Sequence, residues 1–160
     1  MVPTPTKTRT PSKCGFTLIE LLATITIIAV LVGISLPLVT NSLKRDRETD
    51  LRRALREMRT AIDKYKEDSD LGKIEVPTDT EGYPQTLESL VDGVQWIGQA
   101  GKNLKYLRKI PIDPMTNSTD WGMRSYQDEL TSQSWGGQNV FDVYSKSEGV
   151  AFDGTLYKDW

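Results

Sequence analysis

Glu20 is a lone carboxylate one turn inside an apolar run. From Leu21 to Val39 the chain carries no charged side chain. An ionisable group beside such a run is expensive in lipid and calls for a partner. The chemistry available to it is ion pairing, and a partner supplied by another chain would make that pairing an assembly device. The segment that positions it reads Lys13-Cys14-Gly15-Phe16-Thr17-Leu18-Ile19-Glu20. Residues 16–40 provide the length for a membrane-spanning helix, which needs roughly 20 residues at about 1.5 Å each. Hydroxyls in the run, such as Thr24 and Thr26, can bond back to helix carbonyls.

Other readings of this segment fail on order. A secretory signal places its small residue after a short apolar core, whereas Gly15 precedes a long one. A lipoprotein signal also needs its cysteine after the core, and Cys14 lies before it. An ordinary uncleaved anchor leaves Glu20 and the Gly-Phe junction unexplained. The stretch Gly15-Phe16-Thr17-Leu18-Ile19-Glu20 resembles the processing site of type IV pilins and type II secretion pseudopilins, with Pro37 matching the family's helix proline. The resemblance implies cleavage after Gly15 by a prepilin peptidase and N-methylation of Phe16. It also implies a role for Glu20 in assembly, paired with the N-terminal amine of a neighbouring subunit. The expected organisation is a leader over 1–15, a transmembrane and assembly helix over 16–40, and a periplasmic globular domain over 41–160.

Composition narrows the function. The 160 residues hold 20 basic and 22 acidic side chains, a net charge of −2. Loss of the leader cations Lys7, Arg9 and Lys13 takes the balance to −5. A mildly acidic chain argues against nucleic acid as its main ligand. Cys14 is the only cysteine, so the mature chain can hold no disulfide, and there is no histidine. Nucleophilic triads built on Cys or His are therefore excluded, and no enzymatic activity is expected. Orientation signals conflict. The leader cations favour a cytoplasmic N-terminus, while Lys44, Arg45, Arg47, Arg52, Arg53, Arg56 and Arg59 lie beyond the apolar run. The processing motif decides for a cytoplasmic N-terminus and a C-terminal domain in the periplasm.

Beyond the run, Leu51, Leu55, Met58, Ile62 and Tyr65 recur at spacings of four and three, the stripe of an amphipathic helix. Arg52, Arg53, Arg56, Arg59, Asp63 and Lys66 occupy the other face and read as solvated. One long helix is expected from about Phe16 to about Asp70, stopped near Gly72. Lys73 to Gly101 reads as a connector with a short helix after Tyr83-Pro84, with Pro84 early in it. Trp121–Tyr126, Val140–Tyr144 and Val150–Phe152 read as short antiparallel strands between glycines. The fold class is α+β, a type IV pilin-like long helix packed on a small C-terminal antiparallel sheet.

Tyr106 to Pro114 and Phe141 to Ser145 resemble segments of the major pseudopilin of type II secretion. There the matching C-terminal loop binds calcium through oxygen ligands. That implies Asp142, Ser145, Glu148 and Asp153 as candidate calcium ligands, the oxygen-rich set such a hard cation takes. This chain departs from the pattern: Asp153-Gly154 arrives late, and Lys146 places a cation in the loop. The alternative is an acidic turn that binds nothing. The implied function is a pseudopilus subunit at the inner membrane. Its partners would be copies of itself, minor pseudopilins, the prepilin peptidase and an inner-membrane assembly platform. The alternatives are a type IV pilin or minor pseudopilin, or an uncleaved membrane-anchored envelope binding protein.

Overall fold

A computed structural model describes residues 15–98, 101–129, 132 and 134–160, with residues 34–39 described by backbone alone. The leader before Gly15 lies outside the described residues. Helix α1 spans Leu18–Asp70, 53 residues, close to the expected limits. By its contacts the chain divides into two units, Met1–Ser42 and Leu43–Trp160.

In the first unit α1 begins with a side-chain cap. The Glu20 N–H donates to Thr17 Oγ1 at 3.3 Å, and the Leu21 N–H to the Thr17 carbonyl at 3.1 Å. The hydroxyls of Thr24 and Thr26 donate to the carbonyls of Leu21 and Leu22, as expected for polar groups in an apolar helix. Apolar side chains are exposed all around the helix, among them Leu18, Ile19, Ile25, Ile28 and Leu31. Among the described residues no helix is long and apolar enough to cross a membrane. The uncharged stretch described with side chains, Leu21 to Gly33, covers only about 20 Å at helical rise. The remainder of the expected span includes residues 34–39, whose side chains lie outside the description.

In the second unit the apolar stripe does what its spacing predicts. Leu51, Leu55, Met58, Ile62 and Tyr65 are all buried in one core with Leu90, Leu107, Trp121, Val140 and Val143. The helix ends in a left-handed glycine: Gly72 has φ 65°, its N–H donates to the Ser69 carbonyl, and the Lys73 N–H donates to the Asp68 carbonyl. That is the paired closure by which a C-terminal glycine satisfies the last carbonyls.

The remaining elements are short. Helix α2 spans Leu87–Asp92. Strands β1 (Val94–Gln95) and β2 (Asn103–Leu104) pair antiparallel, as do β3 (Gly122–Arg124) and β4 (Asp142–Tyr144). The β3–β4 ladder falls inside the expected runs. Three expectations need correction. The connector holds strand β1, which pairs with β2 just beyond Gly101, and an Ile74–Trp96 bridge joins it to the segment after α1. Val150–Phe152 is not a strand; Val150 makes one bridge, to Leu156. Pro84 precedes α2 instead of entering it, and its carbonyl accepts the Val140 N–H at 2.7 Å. A two-residue strand is shorter than the alternation by which strands are read, so its pairing is set by tertiary contact.

Asp68 ties the end of α1 to the segment beyond it. Its carboxylate accepts Lys73 Nζ at 2.8 Å and the Tyr106 hydroxyl at 3.1 Å. The Lys73 hydrogen bond holds the acid below its usual range against the opposing effect of burial, and Tyr106 adds to the lowering. A carboxyl whose folded pKa is depressed stabilises the fold above its unfolded value, near 4, and loses that contribution as pH falls further. Asp68→Asn should therefore flatten the acid limb of stability between about pH 5 and 2. Urea unfolding across that range checks this, and an unchanged limb would remove Asp68 from the account.

Candidate processing and assembly site

Gly15, Phe16 and Glu20 sit together at the start of α1. Gly15 is exposed, and a Cβ built on it would meet nothing within 4 Å. Among the described residues no crowding requires glycine there. Phe16 is 81% exposed.

Glu20 is also exposed, and among the described residues it makes no ion pair. It is the third residue of α1, with Thr17 as the cap. A threonine cap followed three residues later by glutamate is a helix-start signature, and an acid in the first turn complements the positive end of the helix. Glu20 thus has a local task besides any intermolecular one. The Thr-x-x-Glu spacing could have been read from sequence.

The four candidate calcium ligands do not come together. Asp142 opens β4 and is held by arginine: Arg59 Nε lies 2.7 Å from Oδ1, Arg59 Nη2 3.3 Å from Oδ2, and Arg124 Nη1 3.5 Å from Oδ2. Ser145 is buried and donates to Asp113 Oδ2 at 2.6 Å. Glu148 is exposed. Asp153 Oδ1 accepts the Thr155 hydroxyl at 2.6 Å and the Thr155 N–H at 3.0 Å, while Oδ2 accepts Arg52 at 3.2 Å. Those two Thr155 bonds, with Arg52 beside them, hold its carboxyl below the usual range. Among the described residues no three His, Cys, Asp or Glu side chains are grouped as a metal would require. Asp142 and Asp153 meet arginines and Ser145 meets Asp113, so these three are engaged elsewhere and are not gathered around a cation position.

Sequence reasoning missed Asp113 and underrated Arg59. Asp113 is fully buried, accepting the Met115 N–H at 2.7 Å as well as Ser145. Arg59 lies on the face that reads as solvated, yet it also donates to the main-chain oxygens of Val143 and Trp160.

Residues 10–36 match the family described as the Prokaryotic N-terminal methylation motif. The chain carries a prepilin-type signal. This pilin-like signal implies processing by a prepilin peptidase, assembly into a filament and a place in the cell envelope. It is a mark of structural proteins. The match ends at residue 36, and comparison with curated proteins and with solved structures returned no match. The rest of the chain supports the pilin-like reading through its fold alone, a long helix against a small antiparallel region.

Proposed function

We propose that the chain is a structural subunit of a type II secretion pseudopilus. The prepilin peptidase cuts after Gly15, Phe16 becomes the N-methylated first residue, and the apolar start of α1 joins the subunit to its neighbours. The carrying observation is the start of α1 itself: a helix with apolar side chains exposed on every side and, in its first turn, a carboxylate that makes no ion pair among the described residues. Cleavage creates a cation, the amine of Phe16, and in a filament that amine can meet the Glu20 carboxylate of an adjacent copy. Removing two charges from water is costly, so the pair stabilises the filament only where its geometry is good, and in that way it sets register. Before assembly the subunit waits in the inner membrane through residues 16–40, with residues 41–160 in the periplasm. Minor pseudopilins and an inner-membrane platform start and drive the polymer.

Mass spectrometry of the protein isolated from its host envelope tests this. The expected species begins at N-methylated Phe16. An intact leader would instead mark an uncleaved, membrane-anchored binding protein. Given cleavage, deletion of the gene separates the filament types. Loss of protein export with surface fibres intact supports secretion, and the reverse pattern supports a type IV pilus.

A further inference from the structure

The oxygen atoms that surround Arg59 and Arg124 form the kind of set a calcium ion gathers. Arg59 takes both carboxylate oxygens of Asp142, the main-chain oxygen of Val143 at 3.1 Å and that of Trp160 at 2.8 Å. Arg124 stands opposite Asp142 in the β3–β4 register. It donates to Asp142 Oδ2, to the Ser132 carbonyl at 3.1 Å and to the Lys158 carbonyl at 3.4 Å. One carboxylate and four main-chain oxygens, drawn from β4, the segment at 132 and the C-terminal segment, therefore converge on two guanidinium groups. Hard divalent cations organise loops through the same mixture of carboxylate and carbonyl oxygen.

The last candidate ligand is treated alike. Asp153 pairs with Arg52, whose guanidinium lies 4.1 Å from the centre of the Trp160 ring. Glu48 accepts the Phe152 N–H and the Tyr157 hydroxyl, and Lys44 donates to the Val150 carbonyl. Residues 149–160 are thus laid along α1 by side chains of α1 itself.

We propose that Arg59 and Arg124 replace a metal ion in this domain, closing the C-terminal segment onto β4 and α1 without calcium. Arginine suits the task. Its planar fork of donors meets a carboxylate through two bonds and has donors left for carbonyls, and it stays charged at any pH the protein meets. Unlike a bound ion, it cannot dissociate or be chelated. A divalent cation brought to Asp142 would face two fixed positive charges across hydrogen-bond distances. The inference does not depend on which filament the chain enters.

The test uses the full chain in a mild detergent, melted in EDTA and in millimolar calcium chloride. The two melting curves should coincide. A calcium site filled to a hundred times its Kd would raise Tm by on the order of 8 °C, and a rise of that kind overturns the proposal. Hydrogen exchange supplies the second readout. In Arg59→Gln, residues 149–160 should exchange at least about tenfold faster than in the wild type, with Arg59→Lys in between, because a lysine keeps the charge and loses the fork. Should Arg59→Gln not fold, Arg124→Gln is measured in its place with the same expectation. Exchange at the wild-type rate in the folded glutamine variant would also overturn the proposal.

Discussion

Trp121→Ala should cost the domain about 4 kcal/mol, the upper part of the range for truncating a buried aromatic. Trp121 is 2% exposed and is the largest of the fully buried side chains. It packs in the core built on the Leu51–Tyr65 stripe of α1, just before β3. Its indole N–H donates to the Pro111 carbonyl at 2.9 Å. Alanine would remove the ring, leave a cavity and strip that carbonyl of its partner. Trp121→Phe separates the two effects: it keeps most of the packing and loses the hydrogen bond, for a cost of about 1–2 kcal/mol. Urea denaturation of the three proteins measures both differences. A loss under about 1 kcal/mol for alanine would mean that the core is not organised around this ring.

The second large effect is expected at Gly122. In the β3–β4 ladder it lies directly across from Tyr144, whose ring covers the glycine. A Cβ on residue 122 would fall 2.6 Å from Tyr144 Cε1 and nearer still to Cζ and Cε2. Tyr144 is buried, and the Arg124 guanidinium lies 4.2 Å from the centre of its ring. The ring has to leave its place, and overpacking of this kind costs about 3 kcal/mol. Gly122→Ala should therefore destabilise strongly although it adds a single methyl group. Tyr144→Ala in the same chain should recover part of the loss, because the clash disappears with the ring. The coupling energy from a double-mutant cycle is the measurement, and additive losses would contradict the contact.

The sequence disclosed most where its signals were long. The five-residue stripe of α1, its stop at Gly72 and its start near Phe16 follow from helical period and capping chemistry. The prepilin-type signal was legible because glycine, phenylalanine, glutamate and the apolar run stand at fixed spacing. The β1–β2 hairpin was not legible, because two residues per strand carry no alternation. The calcium expectation rested on residue types in one loop. It took no account of Arg59, which is 83 positions from Asp142 and lies against it in the fold. Asp113 was hidden for a related reason: a buried acid satisfied by a hydroxyl and an N–H looks in sequence like any other turn aspartate.

The clamp on residues 149–160 also has a kinetic meaning. Lys44, Glu48, Arg52 and Arg59 meet partners 101 to 109 positions further along the chain. Contacts of such long sequence separation form slowly, since a large loop must close before any of them is made. They also wait on synthesis, because the helix residues emerge about 100 positions before the groups they hold. The second unit therefore closes only after nearly all of its residues have been made. Late closure leaves the domain open through most of synthesis, and the arginines lock it only when the C-terminal segment has arrived.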